Sequence, residues 1–123
     1  MQIGIDLGAS KIEYVLLDDV GNEHHRERTE VPKNYKDTLS IIKKIVIELE
    51  RKAGKELPVG VCHPGIHSIQ TGLVKNAPNS FWINGKPLQR DLRSEIGKEI
   101  YCENDANCFA LSEAIDGLSL IHI

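Results

Sequence analysis

No apolar run in the chain approaches the ~18 residues of a membrane-spanning helix, which excludes a helical membrane protein. A basic surplus is also missing. Lys and Arg number 15 against 18 Asp and Glu, a net charge of −3, so nothing in the charge balance points to nucleic acid or an anionic membrane as partner. The three cysteines, Cys62, Cys102 and Cys108, are odd in number, lie in apolar strands or on a helix, and have no CxxC spacing. They read as buried reduced thiols of a cytoplasmic protein, with no disulfide or zinc site among them. The opening Met1-Gln2-Ile3-Gly4 is expected to enter a strand directly and has none of the pattern of a signal peptide. Aromatics make up only 5%, so the single Trp82 and the neighbouring Phe81 each call for a specific reason. What is present is one domain's worth of core: 41% hydrophobic residues over 123 positions.

The hydrophobic periodicity predicts an alternation of strands and helices. Ile3, Ile5 and Leu7 alternate as a strand, and Ile12, Tyr14 and Leu16 begin a second after a turn at Gly8-Ala9-Ser10. A third, about Glu23 to Val31, is polar on both faces, as suits a sheet edge. Its His24 and His25 are adjacent and so point to opposite faces, which argues for a solvated edge and against a metal site. A helix follows from Asn34 to about Ala53, with Tyr35, Leu39, Ile42, Val46, Leu49 and Ala53 in line and Gly54 at its stop. Pro58 to Cys62 is a short buried strand running into His63-Pro64-Gly65-Ile66. Thr71 to Lys75 gives another, and Asn76 to Gly85 a polar loop. Pro87 opens a second packing helix with Leu88, Leu92 and Ile96 in line and Gly97 near its stop.

Three places could carry chemistry. The first is Tyr101 to Asn107, where the apolar run Ile100-Tyr101-Cys102 ends and a helix begins on Asn104 or Asp105. A carboxylate there feels the positive end of the helix dipole, which keeps it ionised and able to accept a proton; Asp105 is also an ordinary capping residue. The second is Gly8-Ala9-Ser10-Lys11, a turn whose N–H groups, hydroxyl and ammonium could hold phosphate, or an ordinary hairpin. It is neither a Walker loop nor a dinucleotide fingerprint. The third is the loop from Asn76 to Gly85. Its asparagines suit a polyhydroxylated ligand, and Trp82 either covers an apolar sugar face or anchors the loop on the core. His63 either lines a site or is structural.

These segments occur in a familiar order. Asp6-Leu7-Gly8-Ala9-Ser10-Lys11, Pro64-Gly65, Thr71 to Ala77, and Glu103-Asn104-Asp105-Ala106-Asn107 together resemble the N-terminal domain of a ROK-family sugar kinase. The resemblance covers residues 1 to about 117. It implies an α/β, ribonuclease H-like domain of the actin/hexokinase ATPase type, with a mixed central sheet flanked by helices. It further implies ATP-dependent phosphorylation of a hexose, with Asp105 as base for the sugar hydroxyl and Asn104 and Asn79 as sugar contacts. Pro64-Gly65 would lie on the sugar-side wall. Asp6 would help position Mg²⁺ through water, and Gly8, Ala9, Ser10 and Lys11 would face the transferred phosphate. The wording of Val74 to Gly85 resembles the fructokinase branch more than the N-acetylglucosamine kinase branch, with N-acetylglucosamine kinase and glucokinase as the alternatives. A ROK transcriptional repressor and a non-catalytic sugar-binding domain are the readings from other classes. The family's zinc motif, and with it any Zn²⁺, is expected only beyond this chain, and the full-length protein is compatible with a homodimer.

Two departures stand out. The family usually has Gly at position 9 and Thr at position 10. Ser10 keeps the hydroxyl, but Ala9 places a Cβ where phosphate and backbone approach closely, and a positive φ there would disfavour it. Residues 118–123, Leu-Ser-Leu-Ile-His-Ile, leave the family pattern and match the translation of a transposase end sequence used in DNA library preparation. They are therefore expected to be an adapter-derived tail on a truncated domain that lacks its C-terminal half and is inactive alone.

Overall fold

The fold was taken from a computed structural model, which describes residues 1–68, 70–77 and 79–104. Among these residues, seven strands and two helices follow in the order β1 Gln2–Leu7, β2 Lys11–Leu17, β3 Glu23–Glu30, α1 Tyr35–Ala53, β4 Val59–His63, β5 Ile66–His67, β6 Val74–Lys75, α2 Leu88–Ile96 and β7 Ile100–Asn104. The main sheet has the order β3-β2-β1-β4-β7. Its first three strands form an antiparallel meander, and β4 then joins β1 in parallel and carries β7 in parallel on its other side. β5 and β6 form a separate antiparallel pair. The segment after His63, expected as a plain loop, thus contains a short strand. Two residues are too few to show an alternation, so only the pairing reveals it.

The core lies between the sheet and the helices. Ile3, Ile5 and Leu7 of β1, Ile12 of β2, and Val59 and Val61 of β4 pack with Ile42, Val46 and Leu49 of α1 and Leu88 and Leu92 of α2. Asn34 caps α1, its Oδ1 accepting the Asp37 N–H at 2.8 Å, and Gly54 closes it in the left-handed region at φ 75°. The buried stripe of α1 is wider than the sequence periodicity gives. Ile45 and Thr38 are buried too, while Tyr35, Leu39 and Ala53 are half-buried at its margin. Thr38 can lie inside because its hydroxyl reaches the Pro32 carbonyl at 3.0 Å and that of Asn34 at 2.8 Å.

Polar ties fix both ends of α1. The Tyr35 hydroxyl donates to Asp91 Oδ2 on α2 at 2.7 Å, and burial together with that carboxylate pushes its pKa well up. At the other end the Lys98 ammonium donates to Glu50 Oε2 and to the Leu57 carbonyl, while Glu50 also accepts the Leu57 N–H. At the sheet edge, β3 is charged as expected. Arg26 bridges Glu23 and Glu13, His24 Nε2 meets Asp18 Oδ2 at 2.9 Å, and His25 meets Glu27 at 3.5 Å. The two histidines thus engage different carboxylates. Cys102 is a free thiol pushed up to about 12 by burial, whereas Cys62 is disulfide-bonded, its partner lying outside the described residues. The expectation of reduced thiols fails there, because a pairing made by chain folding leaves no local spacing to read.

Candidate functional site

Strand direction decides where the candidate residues meet. β1, β4 and β7 are parallel, so their C-terminal ends share one edge of the sheet. In register, Asp6 stands beside Cys62 and Cys62 beside Glu103, and one step further His63 stands beside Asn104. In open α/β sheets, ligands bind beyond the carboxyl ends of the strands, where backbone groups and loops converge. Asn104 is the last residue of β7, so the strand runs two residues past the apolar run Ile100-Tyr101-Cys102. Asp105 follows it and lies outside the described residues, as do the helix expected from Ala106 and the segment 118–123.

The β1–β2 turn reaches the same edge. The Gly8 N–H donates to the Lys11 carbonyl at 2.9 Å, and the Ser10 carbonyl accepts the Val31 N–H at 3.1 Å, so both sides of the turn are pinned. Among the described residues, no hydrogen bond uses the N–H of Ala9 or Ser10. The residues of the turn are well suited to an anion: two open N–H groups, the Ser10 hydroxyl and, nearby, Lys11, which is half-exposed and 3.7 Å from Glu30. The backbone of Ala9 answers the conformational part of that concern. Among the described residues, Asn76 at φ 61° is the only non-glycine residue with positive φ, so the Cβ of Ala9 brings no left-handed strain.

At the end of β4 the chain turns through Pro64 and Gly65. Gly65 has φ 76°, and a Cβ built on it would lie 2.5 Å from the Lys75 carbonyl oxygen and 3.1 Å from the Ala77 Cβ. The turn therefore packs directly against the segment leading to Asn79. His63 is fully buried. Its Nδ1 lies 2.8 Å from the Pro64 carbonyl, and since a carbonyl only accepts, Nδ1 carries the proton. Burial holds the imidazole below its ordinary pKa, with the Pro64 carbonyl and the Glu103 charge acting in the opposite direction. His63 is thus a buried side chain held by the Pro64 backbone.

The loop after β6 is built around a short 3-10 turn, Phe81–Ile83. Trp82 is only 7% exposed and belongs to the core, so it anchors the loop and is not an open platform. Phe81 is 67% exposed and meets the Trp82 ring edge-on at 5.3 Å. The aromatic surface the loop offers to a ligand is thus Phe81, which adjacency to Trp82 could have suggested but did not settle. Asn84 bridges the loop's base: its Oδ1 accepts the Ala77 N–H and its Nδ2 donates to the Ala77 carbonyl, both at 3.0 Å. Asn79 is exposed, and no hydrogen bond among the described residues uses its side chain. A cavity of about 450 Å³ beside the loop is lined by Lys75, Asn76, Asn84 and Gly85 but not by Asn79 or any carboxylate, so it is separate from the strand-end edge. Among the described residues, no three His, Cys, Asp or Glu side chains gather closely enough to hold a metal ion.

The sheet order, the flanking helices and the strand-end site define an α/β domain of the actin/hexokinase ATPase fold. Two solved structures share it. A ROK hexokinase from Thermus thermophilus superposes with a TM-score of 0.78 at 27% identity, over 91% of this chain and 37% of that one. A ROK-family glucokinase from Streptomyces griseus, solved with glucose and AMPPNP, superposes with a TM-score of 0.79 at 26% identity, over 94% and 36%. The ROK family model matches residues 2–122, and the chain belongs to the ROK family. Among curated relatives, the N-acetyl-D-glucosamine kinase of Haemophilus influenzae is 39% identical over 117 residues, and that of Mannheimia succiniciproducens 38%. The chain spans 38% of the length of each while 94% of the chain is matched.

Proposed function

We propose that this chain is the N-terminal part of an ATP-dependent hexose kinase whose acceptor hydroxyl is deprotonated by Asp105. The observation that carries the reading is the convergence at one sheet edge of Asp6, the open N–H groups of the Gly8–Ser10 turn and Asn104, the residue before Asp105. Phosphoryl transfer asks a protein for alignment and charge stabilisation and for a carboxylate that takes the hydroxyl proton, the last worth roughly 10²–10⁴-fold. Asn79 and Asn104 hold sugar hydroxyls, with Pro64-Gly65 as the wall beside them. Ala9 and Ser10 offer N–H groups, and Ser10 and Lys11 their side chains, to the transferred phosphate. Asp6, half-buried at the end of β1, has the hard oxygen donor that suits the water shell of Mg²⁺, an ion that would neutralise charge on the phosphoryl group. Residues 1–117 form this domain.

The relatives' names favour N-acetylglucosamine as the acceptor. The wording of Val74 to Gly85 is what favours fructose, and it is the weaker ground. The test is to extend the chain from its source DNA and assay the completed protein with ATP-Mg²⁺ against N-acetylglucosamine, fructose, glucose and mannose, beside Asp105→Asn. Phosphorylation that ranks N-acetylglucosamine first and collapses in the variant is the expected result. Turnover of no sugar would overturn the kinase reading, and a fully active variant would return Asp105 to the role of a cap.

A further inference from the structure

Asn84 lies seven positions from Ala77, and its side-chain amide makes the pair of hydrogen bonds that a neighbouring strand would make with that residue's backbone. It closes the neck of the loop that carries Asn79. Several groups around that neck are buried or hydrogen-bonded through the backbone. Ala77 is fully buried, and its Cβ lies 3.1 Å from where a side chain on Gly65 would begin. The Ser80 N–H donates to the Ala77 carbonyl, Ile83 to Ser80, Asn84 to Phe81, and Gly85 to Val74. Ser80, Trp82 and Ile83 are buried. Asn79 and Phe81 are exposed, and no hydrogen bond among the described residues uses the Asn79 amide. Within the loop the Asn79 amide is unengaged among the described residues, and the Asn84 amide ties Ala77 to the loop's return.

We infer that Asn84 is a positioning residue for hexose binding, acting through Asn79 by holding Ala77 and the loop's return at a fixed separation. The inference rests on the reading of Asn79 as a sugar contact. Asn84 itself touches no substrate in this account. A misplaced hydrogen-bonding group loses most of its value to a ligand, because small displacements of a binding group are costly when the geometry is set in advance. The effect should fall on sugar affinity and leave nucleotide affinity and the proton-transfer step alone, since the phosphate turn and Asp105 belong to other segments.

The test is a double-mutant cycle in the full-length protein, with kcat, the KM for hexose, the KM for ATP and the melting temperature measured for Asn84→Ala, Asn79→Ala and the pair. Asn84→Ala is expected to raise the hexose KM about tenfold, with kcat within about threefold and the ATP KM unchanged. In the Asn79→Ala background, adding Asn84→Ala should raise the hexose KM no further, a result that loss of stability alone would not give. An unchanged hexose KM in Asn84→Ala, or effects that multiply in the pair, overturns the inference while leaving Asn79 as a contact. If Asn79→Ala itself leaves the hexose KM unchanged, the sugar-contact reading falls and this inference with it. Should Asn84→Ala fail to fold, Asn84→Asp, which keeps the acceptor for the Ala77 N–H and loses the donor, enters the same cycle with the same expectations.

Discussion

The α-carbon of Gly65 faces the Lys75 carbonyl so closely that a methyl group on it would sit 2.5 Å from the oxygen. Gly72, at φ 72°, shares the left-handed backbone but has nothing within 4 Å of the same position. The two glycines therefore separate backbone strain from close approach. Gly72→Ala should cost about 1–2 kcal/mol, the ordinary left-handed penalty, and Gly65→Ala clearly more, because the β5–β6 pair must move as well. Urea denaturation of both variants checks this; equal losses would mean that the Gly65 turn yields without resistance.

Trp82 and Phe81 are neighbours with opposite environments. Truncating the buried Trp82 to Ala should destabilise the chain by about 3–5 kcal/mol, and Phe81→Ala by less than about 1 kcal/mol. Chemical denaturation followed by circular dichroism decides it. If the two losses are alike, Trp82 is not an anchor of the core.

His63 makes stability depend on pH. Its folded pKa lies below the ordinary value of 6.5, with burial the main cause, so between those two values the unfolded chain binds more protons than the folded one. Its contribution is complete above pH 6.5, falls as pH drops toward the folded pKa, and is level below it. The denaturation midpoint should therefore decline on acidification through that window, and His63→Gln should flatten that part of the slope. An identical slope in the variant would remove His63 as the cause.

Lys98 and Glu50 tie the end of α1 to the chain entering β7, and each side chain is only 19% exposed. Lys98→Met leaves a part-buried carboxylate with the Leu57 N–H as its remaining partner here, and should cost about 1–3 kcal/mol. Adding Glu50→Gln to Lys98→Met should restore part of that, since the stranded charge is gone. Thermal melts of the single and double variants give the answer, and a double variant weaker than the sum of the singles would refute the stranded-charge explanation.

Much of the fold was legible because its signals are local. Asn34 and Gly54 bound α1 by their chemistry as cap and stop, while Pro87, which makes no capping bond, and Gly97 bound α2 by their backbone preferences. The alternation Ile3-Ile5-Leu7 is a strand whatever its neighbours. The strand order was not legible, because β4 reaches β1 and β7 across long stretches of chain, and no short-range pattern records which strand it will meet. The burial of Trp82 and of His63 was equally hidden, since both side chains combine an apolar body with a polar atom and fit either the core or a site. At the candidate site, Asp6, Asn104 and the Gly8–Lys11 turn were readable as residue types, yet Asn104 reaches Asp6 and the turn only through the parallel pairing of β1, β4 and β7. Asn84 carried no signal of its own: an Asn-Gly pair reads as a turn, and its bond to Ala77 emerges only when the loop closes.

The strand order also sets a timetable for synthesis. β1, β2 and β3 can pair as soon as they leave the ribosome, since tight turns join them and their contacts are local. The other edge of β1 must then wait for Val59–His63, with the whole of α1 made in between. At ordinary translation rates that is on the order of several seconds, during which Ile3, Ile5 and Leu7 stand in a strand with one side unpaired. The newborn chain is most in need of a chaperone in that interval, before β4 arrives to cover the open edge of β1.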